Sequence, residues 1–113
     1  MEIRRIAGAL GAEILGTDLS SPADEDLSFI KKAWLEHLVV FFRDQKLSPA
    51  EFMAFARRIG KPIEYPFVKG IAGFPEIIEV KKLEHEKVNF GGVWHSDTAY
   101  LDVPPMASIL LAR

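Results

Sequence analysis

Apolar residues recur along this chain at two spacings, one typical of helices and one of strands. A helix is predicted over residues 23–37, because apolar positions there return every three or four residues. A second helix is predicted to begin after Ser48, since Ser48 can cap it, Pro49 suits the first helical position and Glu51 can bond back to the cap. Gly60 is expected to end it. The stripes of the two helices are Leu27, Ile30, Trp34 and Leu38, then Phe52, Phe55, Ala56 and Ile59.

Short runs rich in β-branched and aromatic residues predict the extended segments, at 2–6, 12–15, 38–42, 77–80, 93–98 and 108–112. The runs at 38–42 and 108–112 are continuously apolar and are therefore predicted to be buried strands. Proline and glycine make 61–75 irregular, and 84–92 is expected to be a polar loop. The predicted fold class is α+β, with two helices packed on strands. Arg43 and Asp44 are interpreted as a local ion pair where a strand ends.

Composition narrows the class of protein. The chain has 113 residues, 49% of them hydrophobic and 27% charged, so it is one domain or a piece of one with a soluble surface. The net charge is −2 with both signs interspersed, which gives no electrostatic footprint for nucleic acid. Without cysteine there is no disulfide scaffold or thiolate metal site. No signal peptide or membrane span is apparent, and we expect a cytoplasmic protein.

The candidate chemistry centres on His95 and Asp97. Side chains two apart on a strand point to the same face, so this imidazole and carboxylate could occupy two positions of a facial triad for non-haem Fe(II). The pair is weak evidence alone, because a surface histidine beside a strand-end aspartate arises easily by chance. Its context strengthens the metal interpretation: Gly91 and Gly92 precede the pair, and Trp94 and Tyr100 flank it.

The other candidates have simpler interpretations. His37, at the end of a helix stripe, is best interpreted as structural. His85 lies in a charged loop and is expected to be solvated, with a substrate-gating loop as the alternative. Tyr65 and Phe67 flank Pro66 and could line a pocket or simply pack. No glycine-rich phosphate motif and no nucleophile set is present.

Several segments in order, taken together, resemble the N-terminal part of the taurine dioxygenase (TauD/TfdA) family. They are Val39–Gln45, Leu47–Pro49, Ala56–Gly60, Asn89–Thr98 and Pro104–Leu110. The resemblance implies part of a double-stranded β-helix (jelly-roll) fold. It also implies an Fe(II)-dependent dioxygenase that couples oxidative decarboxylation of the cosubstrate 2-oxoglutarate by O₂ to hydroxylation of a small organic acid.

Carried over by position, the resemblance makes His95 and Asp97 iron ligands, and Trp94 and Tyr100 supports of that segment or pocket residues. Tyr65 falls where taurine-specific members carry a sulfonate-binding histidine, and Gly91 falls near an asparagine of theirs. Taurine itself is therefore not expected, and the substrate class is a sulfonate, a sulfate ester or an aryloxyalkanoate. No contact to 2-oxoglutarate can be assigned beyond a strand at 108–112 expected to lie near it.

The departures from the family pattern concern the rest of its site. The distal iron-binding histidine and the arginine that pairs with 2-oxoglutarate fall beyond Arg113, which is only 18 residues (113 − 95) after His95. Residues 1–113 are thus expected to be a single incomplete domain, inactive alone as an N-terminal portion of a dioxygenase. The alternatives are a short non-catalytic binding or assembly module, and a site completed by another chain, through a homo-oligomer or strand exchange.

Overall fold

The computed structural model describes residues 1–113, which form two compact units, Met1–Lys61 and Pro62–Arg113. All helices and strands belong to the first unit, which is α+β as predicted. In chain order they are β1 (Glu2–Arg5), β2 (Ala12–Leu15), α1 (Asp24–His37), β3 (Val40–Phe41) and α2 (Pro49–Ile59).

The three strands form one sheet in the order β1-β2-β3. β1 and β2 are antiparallel, with Ile3 opposite Ile14, and β2 and β3 are parallel, with Ala12 opposite Val40. α1 provides the crossover between the two parallel strands, as such a pair requires. This three-stranded sheet is the β structure present in residues 1–113. The complete double-stranded β-helix remains a prediction.

Local signals define the starts of both helices. The carboxylate of Asp26 accepts a hydrogen bond from the Ala23 N–H (3.1 Å) at the start of α1. At the start of α2, Ser48 Oγ accepts from the Glu51 N–H (3.2 Å) and Glu51 Oε2 accepts from the Ser48 N–H (2.8 Å). This reciprocal pair satisfies two backbone donors that a helix otherwise leaves free, and it confirms the predicted capping box.

Every fully buried apolar side chain lies in the first unit. α1 packs against β2, β3 and α2, and Phe42 meets Phe55 of α2 edge to face, with ring centroids 6.4 Å apart. The core comprises Ala12, Ile14, Leu19, Leu27, Ile30, Ala33, Leu47, Met53 and Phe55. Leu27 and Ile30 of the first predicted stripe and Phe55 of the second therefore contribute to one core. Leu38, also predicted for the first stripe, is exposed instead.

A buried carboxylate ties the sheet together. Glu13 of β2 is 2% exposed, receives a hydrogen bond from Arg43 Nε at 2.9 Å and is also bonded by Arg4 of β1. The hydrogen bond from Arg4, supported by that from Arg43, outweighs desolvation and lowers the pKa of Glu13. The local ion pair expected between Arg43 and Asp44 was wrong, because Arg43 reaches across to Glu13 instead.

The apolar run at 38–42 forms only a short strand, and the prediction that it is buried was wrong. Leu38 has a φ of +66° and its N–H donates to the Trp34 carbonyl (2.7 Å), so it closes α1 and the strand starts only at Val40. β3 is an edge strand with a partner on one side, which leaves Val39 and Phe41 exposed.

The second unit has a different character. Its only regular pairing is a single β-bridge between Ile71 and Phe74, and none of its side chains is fully buried. The strands predicted at 77–80 and 108–112 are therefore wrong: both segments lack strand pairing, and Leu110 is almost completely exposed. An apolar run becomes a buried strand only when a second surface covers it, and residues 62–113 offer none. No helix in the structure combines the length and apolar character needed to cross a bilayer.

Candidate metal site

The structure brings His95 and Asp97 together. His95 Nε2 lies 3.2 Å from Asp97 Oδ1, with about half of each side chain exposed. The extended segment predicted at 93–98 is interrupted, because the backbone bends at Asp97 and Thr98 has a φ of +42°. The two side chains therefore meet on a segment that is not part of any sheet. The half-buried strand expected around them is replaced by an exposed loop.

The second ring nitrogen of His95 is also occupied. Nδ1 lies 2.7 Å from the Val93 carbonyl oxygen, which can only accept, so Nδ1 carries a proton. Nε2 then faces the Asp97 carboxylate, so that one metal ion can bind both atoms.

The geometry of the pair fits a metal ion. Two ligand atoms bound at about 2.1 Å and at right angles lie roughly 3 Å apart, close to the observed 3.2 Å. Metal-binding histidines typically donate their other ring N–H to a carbonyl or carboxylate, as His95 does to Val93. The sequence could not indicate Val93, because its contribution is a backbone oxygen and carries no side-chain signature.

Gly91 shapes the space beside the imidazole. Its φ is +67°, a left-handed conformation that favours glycine, and a Cβ there would lie 3.2 Å from His95 Cε1. A side chain at position 91 would therefore press on the ring that faces Asp97. Glycine is needed here both for the backbone conformation and for the close approach.

We expect Gly91→Ala to weaken metal binding by roughly tenfold, because the added methyl group displaces the His95 ring. Losing a group that orients a metal ligand has an effect of this size. The measurement is Mn(II) titration of the chain, followed by paramagnetic broadening of the amide signals near residue 95. Gly73→Ala is the matched control: its φ is +80°, so the backbone cost is similar, but its Cβ would meet nothing within 4 Å. Equal losses in the two variants would contradict a specific contact with His95.

The pair has no third protein ligand in this structure. Among residues 1–113 no group of three or more His, Cys, Asp or Glu side chains is placed to hold a metal ion. His37 is buried at the C-terminal end of α1 in the first unit, as expected of a structural histidine, and His85 is exposed. The residues present thus fit two ligands of a metal site.

The aromatic candidates divide into two groups. Tyr65 meets Phe67 edge to face, with centroids 5.7 Å apart, and Phe67 lies 6.1 Å from Tyr100. Desolvation, together with the hydrogen bond and charge interaction with Tyr65, raises the pKa of Tyr100. Phe67 thus joins the two predicted pocket tyrosines into one cluster, whereas Trp94 is fully exposed.

Trp94 nevertheless lines the space next to the candidate ligands. An open concavity of about 840 Å³ is lined by Gly91, Gly92, Val93, Trp94, His95 and Asp97. Its volume is within the range of small-molecule sites. A small molecule would reach His95 and Asp97 from this side.

Comparison with known proteins gives a consistent picture. The model of the taurine catabolism dioxygenase TauD, TfdA family matches residues 2–113. An alkylsulfatase from Acinetobacter baylyi is 38% identical over 112 residues, which are 97% of this chain and 34% of that protein. An alpha-ketoglutarate-dependent sulfate ester dioxygenase from Pseudomonas putida is 31% identical over 112 residues, 97% of this chain and 36% of that protein.

The solved structures agree with the sequence comparisons. A taurine dioxygenase from Burkholderia xenovorans superposes with a TM-score of 0.61 at 30% identity, covering 66% of this chain and 27% of that one. The chain spans about a third of the length of the curated relatives it matches.

Proposed function

This chain belongs to the taurine catabolism dioxygenase TauD, TfdA family, and on that basis we propose that His95 and Asp97 are two protein ligands of the Fe(II) site of a 2-oxoglutarate-dependent dioxygenase. The observation that supports the assignment is the 3.2 Å separation of His95 Nε2 and Asp97 Oδ1, with Nδ1 committed to Val93. Bound Fe(II), with 2-oxoglutarate and O₂, supplies the oxidising power to hydroxylate an unactivated C–H bond.

The chain's own residues hold and orient the site. The Asp97 carboxylate contributes negative charge, and the Val93 carbonyl fixes the proton on Nδ1 and leaves the Nε2 lone pair for the metal. Gly91 keeps the space beside the ring open. Trp94 is a substrate-pocket candidate from the adjoining concavity, and Tyr65 and Tyr100 are pocket candidates from their aromatic cluster.

The proposed substrate is a small organic acid, with a sulfate ester favoured. Two relatives at 31% and 38% identity are described as a sulfate ester dioxygenase and an alkylsulfatase. Sulfonates and aryloxyalkanoates are the other classes that we propose to test. Tyr65, where taurine-specific members carry a histidine, argues against taurine itself.

We propose that residues 1–113 form part of a single catalytic domain and that a histidine from outside them completes the metal site. Two exposed ligands hold a divalent cation weakly, and residues 1–113 place no third one beside them. An alternative that also agrees with two ligands is a site completed by another chain, in a homo-oligomer or a strand-exchanged assembly. A non-catalytic binding or assembly module is the remaining alternative.

A chimera tests the proposal directly. Residues 1–113 replace the 112 matched residues of the Acinetobacter alkylsulfatase, whose remaining sequence supplies the rest of the domain. We expect Fe(II)-dependent conversion of 2-oxoglutarate to succinate by the chimera, stimulated by an alkyl sulfate, and none by the 113-residue chain alone. The parent alkylsulfatase is the positive control, and the panel includes a sulfonate and a phenoxypropionate.

Two results would contradict the proposal. A chimera that has the circular dichroism spectrum of the parent enzyme but forms no succinate would contradict the assignment of His95 and Asp97 as iron ligands. Succinate formation by the 113-residue chain alone would show that two ligands are enough and that no further histidine is needed.

A further inference from the structure

The second unit has another concavity, in the segment just before the candidate metal site. Its volume is about 620 Å³, a size that suits a small organic ligand. The residues that line it include Val80, Lys81, Lys82, Lys87, Val88 and Phe90. We call it the lysine concavity. The lining combines positive charge with apolar surface, and the function proposed above uses neither.

The charges of the lysine concavity are not neutralised within the protein. Lys81, Lys82 and Lys87 form no salt bridge with any residue of the chain. One acidic side chain, Glu86, contributes to the lining, and its Oε2 already accepts a hydrogen bond from the Leu83 N–H at 3.0 Å. Three ammonium groups and one committed carboxylate therefore give a local excess of positive charge in a chain whose net charge is −2.

The apolar residues of the lining are largely exposed to solvent. Val80, Val88 and Phe90 are 58%, 83% and 67% exposed, so an apolar group bound there would remove hydrocarbon from water. Glu79 and Glu84, the other acidic residues nearby in sequence, do not contribute to the lining. A bound anion would thus meet three lysines against one carboxylate, that of Glu86, in the lining.

We propose that the lysine concavity binds a small amphiphilic anion, an alkyl or aryl group that ends in a sulfate, sulfonate or carboxylate. The ammonium groups attract the anionic head, while the valines and Phe90 cover the apolar body. An inorganic anion gains only the first contribution, and a neutral alcohol gains only the second. The link to substrate recognition rests on the proposed function, but binding itself needs neither iron nor 2-oxoglutarate.

The test uses hexyl sulfate as the probe, with NMR shifts of the 113-residue chain in metal-free buffer. We expect saturable shifts at residues 80–90, with a dissociation constant of about 1 mM. Sodium sulfate and 1-hexanol at equal concentrations should bind at least fivefold more weakly, and added salt should weaken hexyl sulfate binding. Because no metal is present, a failed iron assignment leaves this result unchanged.

The variants separate a site from a general charge effect. Each exposed ammonium contributes about a two- to fivefold change in affinity, so K81Q/K82Q/K87Q should weaken hexyl sulfate binding by roughly tenfold or more. The control K31Q/K32Q/K46Q removes the same charge from exposed lysines of the first unit and should leave the affinity unchanged. Equal losses in the two triple variants, equal binding of 1-hexanol, or no saturable shift at residues 80–90 would each overturn the proposal.

Discussion

Replacing Asp97 with alanine is expected to lower Fe(II)-dependent succinate formation by the chimera at least a hundredfold, because a ligand counts for no less than the groups that support it. In the 113-residue chain the same change should abolish Mn(II) broadening near residue 95. Without the carboxylate, the His95 imidazole is a single neutral ligand, and one such ligand does not hold a hard divalent cation in water. Asp97→Asn keeps the shape of the side chain and should lose nearly as much, since the charge is what the metal requires.

Asp102→Ala is the matched control for this experiment. Asp102 is also an exposed carboxylate of the same segment, only five positions further along the chain (102 − 97). Its removal changes the net charge by the same amount and should leave succinate formation and Mn(II) broadening intact. Retained activity in Asp97→Ala, or equal losses in both variants, would show that Asp97 does not bind the metal.

Phe55→Ala is expected to destabilise the first unit by about 3–5 kcal/mol, the usual cost of removing a buried aromatic side chain. Phe55 is 5% exposed and stacks edge to face on Phe42, so its loss leaves a cavity and an unpaired ring. Domains of this size are stable by only about 5–15 kcal/mol, so the variant should be close to unfolding at 37 °C. Urea denaturation of the Trp94→Phe background, followed through the fluorescence of Trp34, measures the change.

Leu35→Ala also truncates an apolar side chain to alanine, but at an exposed position. Leu35 lies on α1 and is 73% exposed. The free energy of unfolding of the variant should therefore stay within about 0.5 kcal/mol of that of the parent. If Phe55→Ala were equally mild, the core described for the first unit would not be its source of stability.

The success of the sequence predictions follows the range of the interactions involved. The start of α2 was predicted correctly because Ser48 and Glu51 satisfy each other's backbone within one turn. The strand predicted at 108–112 was wrong although the run is strongly apolar. An apolar composition indicates that residues 108–112 favour burial, but it does not supply the surface that would cover them. Residues 62–113 contain no such surface.

At the candidate site, too, some features could be predicted from the sequence and others could not. The spacing of His95 and Asp97 predicted that their side chains share one side, and they do lie 3.2 Å apart. The setting differs, because the segment that carries them is an exposed loop and not a strand. The bond from Nδ1 to the Val93 carbonyl could not be predicted, since it depends on a backbone conformation that the side chains do not encode. That the pair holds iron remains a prediction.

The absence of buried side chains in residues 62–113 has a thermodynamic consequence. A segment without a core of its own obtains little free energy from folding, so whatever binds it must also offset the entropy of holding it in one conformation. Occupancy and order are then two aspects of a single linked equilibrium. Dissociation constants measured for His95 and Asp97 in this chain report that ordering as much as the strength of the metal–ligand bonds. The same two side chains would bind more tightly, with no change in their chemistry, wherever additional polypeptide holds their backbone in place.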